Sequence, residues 1–201
     1  MLAGTSPAGD PDEASFPGVA PEQVEELRAL MPSPLRPAAV LMPLVDRPHG
    51  LTVLLTQRAS ALRRHAGQVS FPGGRLEDAD AGPLGAALRE TEEEIGLGRE
   101  FISVAGYLRP QLIVTGYWVV PVVGFVRPGF DLRLDPEEVE EAFEVPLVHV
   151  LDPAHHGQRE RRLGAVTIRT TEIHYEGRLI WGATAAMLVA LATLLQTKTP
   201  P

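Results

Sequence analysis

The chain of 201 residues contains no cysteine. That absence excludes a disulfide framework and every thiolate-based zinc site, and it suits a cytoplasmic protein. No run of 18 apolar residues occurs, so no segment reads as a membrane-spanning helix. No basic region leads into an apolar stretch near Met1, so no secretory signal is expected. Positive charge is scarce as well: 18 Lys and Arg stand against 26 Asp and Glu, for a formal net charge of −8. Sequence-independent nucleic-acid binding depends on clustered Lys and Arg, so nucleic acid is not an expected partner. A small anionic ligand at a local basic patch is compatible with this balance, and the sequence leaves room for a homodimer.

What is present, 44% apolar residues, supports one domain with a real core. Residues 1–20, rich in Gly, Pro, Ala and acids, read as a tail, and residues 21–197 as a single domain. Val24, Leu27 and Met31 recur at helical spacing behind Pro21. Ala38–Val45 and Leu51–Thr56 predict a buried strand pair around a turn. Phe101–Leu108 and Thr115–Val126 are strand-like, with Pro121 pointing to an edge or a bulge. Asp135–Leu147 reads as a charged loop or short helix, and two strands flank Glu176–Gly177. Ala183–Leu195 closes the chain as an apolar helix packed on a sheet. There is no internal repeat, and the mixture predicts an α/β sandwich.

The segment Ser70–Leu97, SFPGGRLEDADAGPLGAALRETEEEIGL, carries an electrostatic puzzle. Gly82-Pro83 suits a helix start, with Asp80 as an alternative cap, and Gly96 suits the stop. Leu84, Leu88, Thr91 and Ile95 then share one face, while Glu90, Glu93 and Glu94 gather on another. Each like-charge pair at i,i+3 or i,i+4 costs roughly 0.2–0.5 kcal/mol, and each carboxylate near a helix C-terminus a further ~0.3–1 kcal/mol. A divalent cation reverses both penalties, and oxygen-only ligands suit Mg²⁺ or Mn²⁺ better than zinc. A solvated glutamate face, with Arg89 paired to Glu93, is the bland alternative on this helix alone. The Gly73-Gly74 turn in front favours the cation site, because glycines let backbone approach a metal-bound phosphate.

The run Arg89-Glu90-Thr91-Glu92-Glu93-Glu94-Ile95-Gly96-Leu97 resembles the signature of the Nudix hydrolases, G-x5-E-x7-R-E-U-x-E-E-x-G-U with U aliphatic. It departs in three places. Thr91 stands at an aliphatic position, Asp80 replaces the first Glu, and eight residues separate Asp80 from Arg89. An extra residue in the box looks like the coenzyme A pyrophosphatase branch. The upstream segment Leu54–Gly74, LLTQRASALRRHAGQVSFPGG, resembles that branch's second motif, with Ala59 where Ser is usual. The resemblance extends from about Leu35 to Leu195 and leaves the tail outside.

It implies a Nudix-type α/β/α sandwich with a mixed β-sheet, a need for Mg²⁺ or Mn²⁺, and hydrolysis of a diphosphate. The implied substrate is coenzyme A or a derivative, cut to phosphopantetheine or its acyl form and adenosine 3',5'-bisphosphate. Glu90 and Glu94, one turn apart, are the first choice for metal ligands, and similar family members suggest the Gly74 carbonyl as another. Glu93 is a further ligand or the base that deprotonates water, and Arg89 orients a neighbouring carboxylate or is only a structural partner. Arg58, Arg63, Arg64 and His65 form a basic patch suited to the adenosine 3'-phosphate. Glu137 and Glu138 are either outside contributors to the site or, more simply, a solvated loop; His155-His156 reads as surface; Tyr107, Tyr117 and Trp118 either stack on a base or, more commonly for strand aromatics, sit in the core. Two other functions compete: a Nudix enzyme for ADP-ribose, dinucleotides or nucleoside triphosphates, and a non-catalytic nucleotide-binding module.

Overall fold

Residues Ala38, Ala39 and Leu41–Val45 are all buried, which requires a strand covered on both faces. In the computed structural model, which describes Thr5, residues 14–61 and residues 66–196, that strand is the centre of the molecule. A short helix, α1 (Val24–Ala29), precedes it and buries Leu27. Strand β1 (Arg36–Arg47) turns back into β2 (Gly50–Arg58), antiparallel, with Leu44 opposite Val53 and Arg47 opposite Gly50. The expected strand pair is therefore present.

Beyond that hairpin end β1 and β2 part, and the chain fills the gap between them. Strand β3 (Val69–Ser70) pairs with β2 through Thr56–Ser70 and Gln57–Val69. Strand β4 (Gly73–Arg75) pairs with β1 through Ala38–Arg75, Ala39–Gly74 and Val40–Gly73. Between them Phe71 and Pro72 are buried, and the Leu41 N–H donates to the Pro72 carbonyl at 2.9 Å. Residues 69–75 thus form a wedge driven between two splayed strands.

Helix α2 (Gly82–Ile95) follows and ends at Gly96 in the left-handed region, φ 68°. Its last carbonyls are met by backbone: the Arg133 N–H donates to Ile95 and the Asp135 N–H to Glu94, both at 2.9 Å. Strands β5 (Ile102–Tyr107) and β6 (Gln111–Ile113) both pair with β7 (Tyr117–Val126), which runs parallel to β1. Pro121 therefore lies inside the sheet rather than at its edge. It is tolerated because β6 pairs with residues 117–119 and β5 with residues 122–126, leaving Pro121 at the changeover. The Leu108 N–H donates to its carbonyl at 3.0 Å.

The charged segment after Asp135 is also corrected. Strand β8 (Val139–Pro146) pairs antiparallel with β2, because Phe143, Val145 and Leu147 alternate towards the core. The chain continues through α3 (Leu147–Leu151) into a separate three-stranded sheet. That sheet comprises β9 (His156–Leu163), β10 (Val166–Tyr175) and β11 (Arg178–Trp181), with the expected turn at Glu176–Gly177. Helix α4 (Gly182–Gln196) ends the described chain. No described helix is long and apolar enough to cross a membrane.

Core residues fall on both faces of the large mixed sheet. Ala39, Leu41, Val120 and Val122 meet α2 on one face. Met42, Leu55, Val123 and Val145 meet Ile173, Ile180, Leu188 and Leu191 on the other. The mixed-sheet α/β architecture expected from the sequence is observed. Residues 14–18, placed in the tail by composition, join the fold. The Ser15 N–H donates to Pro110, Ser15 accepts from the Leu112 N–H, and Gly18 accepts from the Arg169 N–H, each at 2.9 Å.

Gly73 tests the wedge. Its φ is 148°, and a Cβ would strike the Ala39 carbonyl and the Val40 backbone. Gly73→Ala is expected to destabilise the fold by about 2 kcal/mol or more, measured by urea unfolding. An unchanged midpoint would show that the wedge is not packed as described.

Candidate active site

Four glutamates end α2, but the fold gives them different environments. Glu92 faces solvent and meets Arg99 at 3.8 Å. The side chain of Glu93 is 60% exposed and that of Glu90 is 18% exposed. Glu94 is buried, at 3%. Of the expected face, Thr91 and Ile95 are buried and Leu84 packs half-buried on the core, but the fully buried stripe also takes in Ala86, Ala87 and Glu94 and leaves Leu88 half-buried. The expected single face of three carboxylates is therefore divided, with Glu94 turned into the protein. Thr91 occupies its core position without an unmet hydroxyl, since Oγ1 donates to the Ala87 carbonyl at 2.6 Å.

Glu94 lies beneath the glycine wedge. Its Oε2 accepts from the Gly73 N–H at 3.2 Å, and its Oε1 is 3.6 Å from Nη1 of Arg58. Burial dominates these contacts and pushes the carboxyl up to about 8, with Glu138 and Glu90 adding repulsion. Burial also raises Glu90, against the pull of Arg89 and with repulsion from Glu93 and Glu138. Glu90 fills the space where Gly74 lacks a side chain: a Cβ there would collide with its carboxylate. Gly74 is thus one wall of the site.

Arg89 organises the other wall. Its Nε and Nη2 donate to the two oxygens of Asp80, each at 3.0 Å, and Asp80 also accepts from the Glu77 N–H at 2.8 Å. Asp80 does not cap α2; it holds Arg89. The same guanidinium reaches Glu93 at 2.9 Å, Glu90 at 3.1 Å and the Arg75 carbonyl at 3.1 Å. The fork to Asp80 raises Arg89 further above its ordinary range and lowers Asp80 below the usual carboxylate range.

The structure brings together Arg58, Gly74, Arg89, Glu90, Glu93 and Glu94. Arg63, Arg64 and His65 lie outside the described residues. Glu138, read from sequence as solvated, is half-buried and close enough to raise both Glu90 and Glu94. Its carbonyl accepts from the Ala59 N–H at 2.8 Å, which ties it to the end of β2. Only the apolar alternation of Phe143, Val145 and Leu147 hinted that this segment enters the sheet.

Among the described residues no three Asp, Glu or His side chains stand as a ready metal cage. A hard divalent cation nevertheless fits the donor chemistry. Two oxygen donors are desolvated together, Arg89 at 3.1 Å from Glu90 is shared with Asp80 and Glu93, Arg58 lies 3.6 Å from Glu94, and glycine leaves backbone open beside them.

A carboxylate helix laid across a glycine wedge in a mixed α/β sheet is the arrangement of a Nudix-type hydrolase fold. The chain belongs to the Nudix family: the NUDIX domain model matches residues 35–163. It is 43% identical over 164 residues to the uncharacterized Nudix hydrolase NudL of Escherichia coli K12, covering 81% of this chain and 84% of that one. Solved structures agree in fold. The Nudix hydrolase RenU of M. smegmatis aligns with TM-score 0.55 and 18% identity, over 83% of this chain and 89% of that chain. A MutT/nudix family protein of Enterococcus faecalis aligns with TM-score 0.50 and 18% identity, over 90% and 70%.

Stability should follow the buried carboxyl. Because the folded-state value of Glu94 is raised from 4.5 to about 8, the folded protein binds more protons than the unfolded chain between those values. Its stabilising contribution is therefore present in acid and lost as pH rises through about 8. Glu94→Gln is expected to raise the metal-free Tm relative to wild type, the gap growing by roughly 5 °C or more from acid to mildly alkaline pH. A pH-independent gap would contradict the burial of an unneutralised carboxylate.

Proposed function

We propose that this Nudix hydrolase cleaves the diphosphate of coenzyme A or a derivative, giving phosphopantetheine or its acyl form and adenosine 3',5'-bisphosphate. One observation carries the reading. The segment Leu54–Gly74, which resembles the coenzyme A branch, runs from β2 through Arg58 to the wedge, and Arg58 faces Glu94 at 3.6 Å. Arg58 of this segment thus stands beside the carboxylates, which supports reading the two as one site. Retention of Glu90, Glu93 and Glu94 at electrostatic cost argues against a non-catalytic module.

The roles follow from environment. Glu90 and Glu94 are assigned to hold the divalent ion, with Gly74 as backbone donor, because these carboxylates are desolvated beside it. Nudix hydrolases generally use Mg²⁺ or Mn²⁺, and such an ion, when bound, neutralises diphosphate oxygens and acidifies water. Glu93 is assigned to accept the proton of the attacking water, since it is the most exposed of the three and Arg89 fixes its direction. Water oxygen bonds to one phosphorus as the bridging oxygen departs with the other phosphate. Arg58 is assigned to the diphosphate because it points into the carboxylate cluster rather than away from it. Arg63 and His65 remain the assigned readers of the nucleotide's further charge on the motif alone.

Incubation with Mg²⁺ or Mn²⁺ and a panel of diphosphates should give adenosine 3',5'-bisphosphate from coenzyme A, and chelation should abolish it. At a hundred times its Kd, the ion alone should stabilise the fold by about 2.7 kcal/mol, read as a rise in Tm. Brisk cleavage of ADP-ribose with none of coenzyme A would overturn the substrate. Chelator-resistant turnover would overturn the metal site.

A further inference from the structure

The carboxylate cluster has a cationic counterpart one residue away. Arg75 follows Gly74 directly, and among the described residues its side chain pairs with no acid. Instead Nε and Nη2 donate to the Tyr117 hydroxyl, at 3.0 and 2.8 Å. Arg36 approaches the same ring from its face, its Cζ 4.5 Å from the centroid, and donates to the Thr115 carbonyl at 3.4 Å. The Cζ of Arg75 is 5.6 Å from that centroid. Two guanidiniums therefore share one tyrosine, and neither forms an ion pair with a described carboxylate.

The strand register produces this meeting. Arg36 lies opposite Tyr117 on the parallel β1–β7 pair, and Ala38, two residues along β1, lies opposite Arg75. The three side chains consequently share one sheet face. Several other arginines of this acidic chain do meet a carboxylate: Arg47 meets Glu144, Arg89 meets Asp80 and Arg178 meets Glu141. Arg75 is exposed and Arg36 half-buried, and two cations held side by side at that surface attract an anion. Tyr117 already carries a guanidinium on its ring and two donors on its hydroxyl, so it anchors the arginines rather than stacking a base. Two planar donor forks fixed in this way suit a phosphate.

We propose that Arg36 and Arg75, braced by Tyr117, form a second anion subsite that binds a phosphomonoester of the substrate remote from the cleaved diphosphate. The inference rests on the coenzyme A reading, in which one ribose carries the diphosphate at one carbon and a phosphomonoester at another. The connection to the reacting end is short. The Arg75 carbonyl accepts from Arg89 at 3.1 Å, and the preceding Gly74 abuts Glu90. Arg58 meets Glu94 beside Gly73 at the start of β4, and Arg75 ends that strand. This shares between two sites the charge recognition that the sequence alone assigned to Arg58, Arg63 and His65.

The direct test is calorimetric titration of full-length protein with adenosine 3',5'-bisphosphate and with adenosine 5'-monophosphate. Wild type is expected to bind the bisphosphate about ten- to a hundred-fold more tightly, the scale of charge-assisted contacts. Arg36→Ala and Arg75→Ala should each move that ratio towards one, Tyr117→Phe should lower it, and Arg75→Lys should keep part of it. The lysine variant keeps the test decisive if an alanine variant fails to fold. No preference in wild type, or a preference surviving in both alanine variants, would overturn the subsite. Cleavage of coenzyme A and its 3'-dephospho form separates this inference from the substrate reading. If coenzyme A is cut and its advantage over the dephospho form survives both alanine substitutions, the subsite fails and the function stands. If coenzyme A is not cut while the bisphosphate preference still depends on Arg75, the function fails and the subsite stands.

Discussion

A carboxylate buried without a full counter-charge governs this molecule. Glu94 is held under the Gly73 N–H at 3.2 Å and receives only a distant guanidinium from Arg58. Removing a charge from water costs several kcal/mol unless a partner compensates. The surrounding structure creates that situation. β1 and β2 splay, the chain returns between them as a wedge, and the wedge brings two glycines against the end of α2. The backbone of Arg133 and Asp135 satisfies carbonyls at the helix end, so what burial leaves uncompensated there is the desolvation of Glu90 and Glu94.

Arg89 explains how the departures in the helix signature are accommodated. Asp80 is shorter than glutamate and lies at an altered spacing, yet both of its oxygens meet Arg89 at 3.0 Å. The Glu77 N–H fixes Asp80 in turn, so the loop between wedge and helix folds around this pair. Arg89 then distributes its remaining donors to Glu93 and the Arg75 carbonyl. One side chain thus ties the helix, the loop and the wedge into a common frame.

Much of this was legible locally. Helix α2 announced itself through Gly82-Pro83, good helix formers and the stop at Gly96, and the β1–β2 hairpin through apolar runs around a turn. The site residues of the box were legible as a pattern, but their division was not. Periodicity put Glu94 with Glu93, whereas the contact that buries it comes from Gly73, twenty-one residues earlier. Strand β9 was invisible because HGQRERRL has no apolar face to bury, and its pairing is set by β10. Pro121 misled because the exchange of β6 for β5 beside it is a property of the whole sheet. The Arg36–Tyr117–Arg75 cluster joins residues from three strands and has no sequence signature.

The fold and the family place a diphosphate hydrolase on this scaffold, and the central physical claim is that glycine and glutamate together make its cation cradle. Mn²⁺ binding to wild type and Gly74→Ala, followed by electron paramagnetic resonance alongside circular dichroism, tests it most directly. A methyl group at residue 74 meets the Glu90 carboxylate without altering any charge. The expected result is a folded variant whose Mn²⁺ affinity falls about ten-fold or more, the scale of losing an oriented ligand. Equal affinity in the two proteins would contradict the cradle.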